Sequence, residues 1–224
     1  MPYLRAGRSI ITNGPLLLRA ARGGRPIILS TGMSTLAEIE VALGVLAYGY
    51  TATAGEPSLN AFIQAFRSTV GQEALHQRVT LLHCTTEYPA PYADVNLRAM
   101  DTLRATFGLP TGLSDHTPGI YVATAAAARG AVAIEKHLTL DRALPGPDHH
   151  ASLEPAEFRD MVAAIRQIEA ALGNGVKVPM PSEFANLPVA RRSLVAARDI
   201  RRGETFTPEN VDVKRPGTGV SPMR

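Results

Sequence analysis

Four apolar runs separated by helical patterns constrain the fold of this chain more than any other feature. The runs are PIILS at 26–30, VTLLHC at 79–84, TGLS at 111–114 and VAIEKH at 132–137. Strands buried on both faces are continuously apolar, and parallel strands need crossover connections. The alternation therefore predicts an α/β fold built on a parallel sheet.

The segments between the runs predict the connecting helices. Helical patterns occupy residues 15–22, 34–50, 95–108, 118–130 and 155–173. Ser34 or Thr35 is expected to cap the second of these, with Glu38 completing a capping box. The connection from 51 to 78 is unusually long, and its second part is periodic enough to predict one further helix.

Polar residues close every predicted strand and indicate the functional edge of the sheet. They are STG, HCTT, SDHT and EKH. Barrels and open α/β sheets both place active sites at the carboxyl ends of their strands, and polar ends on all four strands favour a barrel. A closed (β/α)₈ barrel has eight units in roughly 250 residues, whereas four units precede residue 175 here. We therefore expect residues 1–175 to form a partial barrel, with about half of its units missing.

The remaining residues differ in character from the predicted half-barrel. Residues 176–190 are proline-rich and predict an interdomain linker. Residues 191–224 contain short apolar runs and tight turns without helical periodicity. They predict the start of a small β-rich domain, cut short.

Composition excludes several functional classes. The net charge of +3 arises after Arg191, and without interleaved aromatic residues this excess predicts a solvated face rather than a nucleic-acid site. Cys84 is the only cysteine, which excludes an internal disulfide and fits a reducing compartment. Neither a signal peptide nor an apolar run near the ~20 residues of a membrane span is present. We expect a cytoplasmic protein with no membrane partner.

Two histidines end successive predicted strands. His116 and His137 should lie about 5 Å apart laterally, close enough to share a divalent cation, with Asp115 and Glu135 orienting them or completing the ligand set. Two imidazoles with oxygen or water ligands suit Mn²⁺ or Mg²⁺ better than structural zinc. On the residues alone, substrate hydrogen bonding by the same histidines is an equal alternative.

Hydroxyl groups at strand ends suggest a phosphate site. Ser30, next to Thr31 and Gly32, precedes a helix, and Ser114 has a similar place. Simple helix capping explains Ser34 or Thr35 at least as well. Cys84 is interpreted as a buried structural thiol, because its neighbour His83 should point to the opposite face of the strand.

Several strings together resemble the sialic acid synthase family, which includes N-acetylneuraminate and N,N'-diacetyllegionaminate synthases. They are STGM, HCTTEYPAPY, SDHT, EKH, GPDHHASLEP and VKRPGTG, in register over about residues 12–223. The resemblance implies a (β/α)₈ barrel followed by a small antifreeze-protein-like (SAF) domain, and it implies that this chain is a fragment with the C-terminal half of the barrel and the start of the SAF domain. It also implies a homodimer whose small domain reaches over the partner's active site. It also implies condensation of phosphoenolpyruvate with an N-acetylated amino sugar, releasing phosphate.

The resemblance also assigns roles to residues of this chain. His116 and His137 match metal ligands, with Mn²⁺ (or Mg²⁺) as the ion. Three residues match the phosphoenolpyruvate site: Ser30, Thr86 and Ser114, although the family often has Asn in place of Thr86. Four residues match catalytic or sugar-contacting positions: Tyr88, Asp148, Arg215, which the partner subunit would donate, and Glu135, our candidate for moving a proton or a water.

Departures from the family pattern leave alternatives open. Residues 5–11 match poorly a strand end that carries a lysine and an acid in the family: Arg5 stands for the lysine and Ile10 for the acid. The product is N-acetylneuraminate, from N-acetylmannosamine, or N,N'-diacetyllegionaminate. An inactive fragment that keeps part of the site is a second hypothesis. A Schiff-base aldolase using Lys136 ranks lowest, since Lys136 should point away from Glu135 and His137.

Overall fold

The computed structural model describes residues 3–6, 10–52 and 54–224. The chain divides into two compact units, Met1–Gly173 and Asn174–Arg224. Residues 7–9, part of the stretch that matches the family poorly, lie outside the described residues.

The first unit is built on a parallel sheet, as predicted. Its strands are β1 (Leu4–Ala6), β2 (Ile27–Ser30), β3 (Val79–Cys84), β4 (Thr111–Asp115) and β5 (Ile134–Lys136), paired in that order. All four neighbouring pairs are parallel. Strand β1 is absent from the prediction, because three residues without an apolar run give no periodic signal.

Seven helices are described in the first unit. They are α1 (Gly14–Arg22), α2 (Leu36–Thr51), α3 (Leu59–Arg67), α4 (Thr69–Arg78), α5 (Ala99–Phe107), α6 (Tyr121–Ala128) and α7 (Pro155–Leu172). Helix α2 begins with the predicted capping box, in which Thr35 and Glu38 exchange hydrogen bonds. The long connection holds two helices where one was predicted, because the Ser68 side chain ends α3 and caps α4 through Gly71.

The core lies between the sheet and the first helices. Its fully buried members include Leu29, Leu43, Leu46, Leu75 and Leu81. Two smaller apolar clusters lie beneath α5 and α6 and against α7. The sheet is curled, since Arg5 on the edge strand β1 reaches Glu135 on the opposite edge strand β5.

The second unit contains a short antiparallel ribbon. Residues 181–186 form 3₁₀ turns, α8 spans Leu187–Ala190, and β6 (Ser193–Ala196) pairs with β7 (Val211–Lys214). Part of the predicted linker is therefore folded, and the Gly217 amide donates to the Pro188 carbonyl at 2.6 Å. An apolar groove of about 760 Å³ is lined by residues that include Leu194, Phe206 and Val220.

Within the described ranges, no helix is both long enough and apolar enough to cross a bilayer.

Candidate functional site

The carboxyl ends of β4 and β5 bring three predicted residues together. Strand β4 is buried along its whole length, and Ser114 and His116 at its end are buried too. Ser114 lies opposite Glu135 in the strand register. The Ser114 hydroxyl donates to Glu135 Oε1 at 2.7 Å and lies 3.5 Å from His116 Nε2. Register between two parallel strands thus places a carboxylate, a hydroxyl and an imidazole in one group.

Glu135 also pairs with Arg5 from the far edge of the sheet. Arg5 Nε lies 2.5 Å from Oε2, and Nη2 donates to Oε1 at 2.8 Å. Burial by itself raises the pKa of Glu135, but hydrogen bonds from Arg5 and Ser114 and the nearby positive charges outweigh it. The net effect lowers the pKa below its ordinary value of 4.5. Glu135 is therefore an ionised carboxylate at neutral pH, able to accept a proton.

His116 is held in one orientation by two contacts. Its Nδ1 lies 2.8 Å from the Thr85 carbonyl, which can only accept, so Nδ1 carries the proton. In the neutral ring, Nε2 is then an acceptor, and the Tyr88 hydroxyl lies 2.9 Å from it. Backbone bonding of one ring nitrogen is the usual way to present the other nitrogen to a metal.

His137 completes an aromatic group with Tyr88 and His116. The ring centroids of His116 and His137 are 5.4 Å apart, and Tyr88 lies 4.2 Å from His116 and 5.4 Å from His137. Asp148 Oδ2 is 3.8 Å from His137 Nδ1. These four residues, assigned to metal and sugar binding by resemblance, are neighbours in space.

Tertiary contacts hold the loop that carries Tyr88. His83 Nε2 lies 2.6 Å from the Val95 carbonyl, and the Ala90 amide donates to the His116 carbonyl at 2.9 Å. Burial lowers the pKa of His83 below 6.5, although its bond to Val95 acts in the opposite direction. His83 and Cys84 point to different surroundings, as strand alternation predicts, and Cys84 Sγ lies 3.8 Å from His116 Nδ1.

A second group lies at the carboxyl ends of β2 and β3. Ser30 is buried at the end of β2, and Thr86 follows β3. The Thr86 hydroxyl oxygen is buried and has no hydrogen-bond partner among the residues described. A Cβ on Gly32 would lie 2.5 Å from that oxygen and 3.1 Å from Cys84 Sγ. Only glycine allows this close approach.

Asp115 and Lys136 face away from His116 and His137. Lys136 Nζ donates to Asp115 Oδ2 at 2.8 Å, and each side chain is only 1% exposed. The Asp115 carboxylate accepts hydrogen bonds from Lys136 and from the Thr117 amide and hydroxyl. The arrangement also disfavours Schiff-base chemistry, because an ion-paired buried ammonium is a poor nucleophile.

The donor set fits a metal ion in part. Among the residues in view, no group of three or more His, Cys, Asp or Glu side chains forms a metal cluster. Two adjacent imidazoles remain, and the ring of His116 is oriented by the bond between its Nδ1 and the Thr85 carbonyl. Such a pair suits an ion whose other ligands are water or substrate oxygens, as Mn²⁺ accepts.

Arg215 belongs to the second unit, where it follows β7 and is exposed. His149 Nδ1 lies 2.7 Å from the Thr139 hydroxyl. Two contacts of the site are not predicted by the sequence pattern. The Thr85 carbonyl, which orients His116, is a backbone acceptor and leaves no residue-type signal. Arg5 departs from the family pattern, and that pattern does not predict its contact with Glu135.

Two family models match this chain. The NeuB family covers residues 1–177, and the SAF domain covers residues 191–223. The chain belongs to the NeuB family. This confirms the resemblance drawn from the sequence strings, and it identifies the ribbon-containing segment as a SAF domain.

Similar proteins share this assignment. The N,N'-diacetyllegionaminic acid synthase of Campylobacter jejuni is 47% identical over 96% of this chain and 57% of the relative. The enzyme of the same description from Legionella pneumophila is 42% identical over 95% of this chain and 54% of the relative. A crystal structure of N-acetylneuraminic acid synthetase from Leptospira borgpetersenii, in complex with citrate, matches with a TM-score of 0.64 and 34% identity, over 82% of this chain and 55% of that chain. The chain thus spans a little over half the length of these relatives.

Proposed function

We propose that this chain supplies one wall of the active site of a synthase that condenses phosphoenolpyruvate with an N-acetylated amino sugar. Family membership supports this reaction class. The observation that carries it is the continuous polar group formed by Glu135, Ser114, His116 and Tyr88 at one sheet edge. It combines a proton acceptor, a hydroxyl and an oriented imidazole where a parallel α/β sheet places its chemistry.

The proposed architecture is the C-terminal half of a (β/α)₈ barrel. Five parallel strands, paired in sequence order and joined by connections that contain helices, support it. The curl that brings Arg5 to Glu135 supports it further, since half of a barrel places its first and last strands across the barrel interior.

The proposed reaction forms one carbon–carbon bond and consumes one water. C3 of phosphoenolpyruvate attacks the aldehyde carbon of the open-chain sugar, whose oxygen takes up a proton and becomes a hydroxyl. Water adds to the resulting cation at C2 and loses a proton. The C2–O bond to phosphate then breaks, the C2 hydroxyl gives its remaining proton to the departing phosphate, and C2 becomes the ketone of the 2-keto acid product.

The residues have distinct proposed roles in this sequence. Ionised Glu135 accepts the proton that the attacking water loses, which general base catalysis requires to be within hydrogen-bond reach. Ser30 and Thr86 donate hydrogen bonds to phosphoenolpyruvate, and Ser114 lines the same site while its hydroxyl donates to Glu135. Tyr88 and Asp148 bind the sugar. Bound Mn²⁺ (or Mg²⁺), held by the two histidines, would supply Lewis-acid polarisation of the aldehyde.

We favour N,N'-diacetyllegionaminate as the product over N-acetylneuraminate. The two legionaminic acid synthases are 47% and 42% identical to this chain, whereas the neuraminic acid synthetase is 34% identical. Supplying the diacetamido sugar and N-acetylmannosamine separately, and comparing kcat/KM, tests the choice.

The proposed assembly is a homodimer in which the SAF domain of one subunit donates Arg215 to the partner's site. The proposed location of the protein is the cytoplasm. Exposure of Arg215 after β7 leaves its guanidinium accessible for such a role. Light scattering measures the mass in solution. Mixing an Arg215→Ala chain with a Glu135→Gln chain should restore part of the turnover if the arginine acts across the dimer, and should restore none otherwise.

Phosphate release from phosphoenolpyruvate, with either sugar and Mn²⁺, tests the proposed reaction. The chain is assayed alone and after addition of the N-terminal half of the Campylobacter relative. Turnover in either arm supports the proposal, and turnover only in the second shows that this chain needs a complementing half. Absence of turnover in both favours an inactive polypeptide. His116→Ala and His137→Ala should weaken Mn²⁺ binding, while His150→Ala, on an exposed residue, should not.

A further inference from the structure

A buried ion pair lies directly beneath the two histidines. Asp115 and Lys136 are opposite each other in the register of β4 and β5, and each immediately precedes a histidine in the chain. Their side chains are 1% exposed, with Nζ 2.8 Å from Oδ2. Because successive strand residues point to opposite faces, the pair and the histidines lie on opposite sides of the same two strands.

Thr117 closes this pair into a small network. Its amide and its hydroxyl both donate to Asp115 Oδ1, at 2.9 and 2.8 Å. Lys136 Nζ donates in turn to the Thr117 carbonyl at 2.5 Å. His116 is therefore flanked on both sides by residues of the network, and His137 directly follows its third member.

Stability does not explain why these charges are kept. Moving two charges out of water costs free energy that their attraction only partly returns, and well-packed apolar residues in their place are often neutral or stabilising. The best-attested use of a buried ionic group is to specify register. Here the register in question is that of the two strands that carry His116 and His137.

We propose that the Asp115–Lys136 ion pair positions His116 and His137 relative to each other from the opposite face of the sheet. The inference rests on the proposed role of the two histidines as metal ligands. The charged groups of Asp115 and Lys136 bond to each other and to Thr117, so the pair acts through the backbone that it fixes.

The test replaces the pair by apolar residues and compares it with a matched core change. The double variant Asp115→Leu/Lys136→Met leaves no unpaired buried charge. Leu113→Ala is the control, because Leu113 is buried on the same strand, two residues before Asp115, and takes no part in the network. Urea unfolding, Mn²⁺ affinity from electron paramagnetic resonance, and imidazole ¹⁵N spectra of the metal-free chain are measured for both.

We expect the double variant to fold and its Mn²⁺ affinity to fall about 10- to 100-fold, the usual loss when groups that orient a ligand are removed. Its His116 and His137 ring signals should shift or broaden. Leu113→Ala should lose stability with a smaller change in both readouts. Unchanged affinity and unchanged ring signals in the folded double variant would overturn the inference.

Two further results keep the test decisive. If the double variant does not fold, two single variants replace it. Lys136→Arg keeps the charge, and its Mn²⁺ affinity should stay near that of the wild type. Asp115→Asn keeps an oxygen for Thr117 but loses the charge, and its Mn²⁺ affinity should fall. Equal affinity in these two variants and the wild type contradicts the inference. If the wild-type chain binds no Mn²⁺, the metal role in the proposed function fails, and the metal-free ring signals alone decide whether the ion pair positions the histidines.

Discussion

The carboxyl ends of β4 and β5 and those of β2 and β3 are built differently. At β4 and β5, Ser114 donates to Glu135 and Glu135 pairs with Arg5, while the His116 ring meets the Thr85 carbonyl and the Tyr88 hydroxyl. At β2 and β3, the buried Thr86 hydroxyl has no partner within the described residues, and Gly32 leaves open the space beside it.

The two regions differ in whether their polar groups are already hydrogen-bonded within the protein or are left for a substrate to bond. Groups at β4 and β5 are already oriented by other side chains, as electrostatic catalysis requires. An orphan buried hydroxyl costs free energy until something accepts or donates a bond to it. Under the proposed function, the second region is the one that substrate completes.

The largest expected effect is a loss of turnover when Glu135, in the region whose polar groups are already oriented, is replaced. Glu135→Gln keeps the shape but removes the proton acceptor, and turnover should fall about 10²- to 10⁴-fold, the usual contribution of general base catalysis. Initial rates of phosphate release measure it, in whichever assay arm shows turnover. Glu73→Gln, on the exposed face of α4, is the control. Full activity in Glu135→Gln would remove Glu135 from the mechanism.

Removing one hydroxyl from each region should act with opposite sign on stability. Ser114→Ala deprives the Glu135 carboxylate of a donor, and the free energy of unfolding should fall by about 1.5–3 kcal/mol. Thr86→Val deletes an unpaired buried hydroxyl, and the free energy of unfolding should rise by up to about 1 kcal/mol. Both should raise KM for phosphoenolpyruvate. Urea unfolding decides the comparison, which fails if both changes have the same sign.

Filling the space beside Thr86 should strain the second region alone. Gly32→Ala should cost about 1–3 kcal/mol of unfolding free energy, since its methyl group meets Thr86 Oγ1 and Cys84 Sγ. The cost should shrink in a Thr86→Ala background, which removes the nearer atom. Gly14→Ala is the matched control, because no atom lies within 4 Å of its added Cβ. An equal cost in both backgrounds would mean that the strain lies elsewhere.

The smallest expected effect concerns pH. The folded-state pKa of Glu135 is below its ordinary value of 4.5, so the carboxylate stabilises the fold above that pH and the benefit disappears as the pH falls through the folded-state pKa. Unfolding free energies of the wild type and Glu135→Gln should therefore converge as the pH falls below the ordinary value of 4.5 and through the lower folded-state pKa. A difference that stays constant over this range would contradict the lowered pKa.

The sequence predicts most of the sheet because local signals and burial agree there. Continuous apolar runs identify β2 to β5, and the Thr35–Glu38 capping box locates the start of α2. Strand β1 escapes prediction because its three residues become a strand only through pairing with β2. Two helices replace the single one expected between 51 and 78, since one Ser68 side chain both ends α3 and begins α4.

The site is predictable only where strands carry it. Ser114, His116, Glu135 and His137 follow from parallel register, which brings strand ends together whatever the loops do. The approach of Tyr88 to His116 depends on a loop held by His83 and by backbone bonds, and no local pattern encodes such contacts. Arg5 was equally hidden, because its partner lies 130 residues away.

The Arg5–Glu135 contact also depends on the curvature of the sheet. It joins the two outermost strands of a five-stranded sheet, so any flattening of the sheet must pull it apart. Arg5 is 62% exposed, and exposed ion pairs contribute only about 0–1 kcal/mol. The contact is therefore too weak to bend the sheet, and it forms only when the sheet is curved enough to bring Arg5 to Glu135. A change in the curvature of the sheet therefore also changes the charge environment of Glu135.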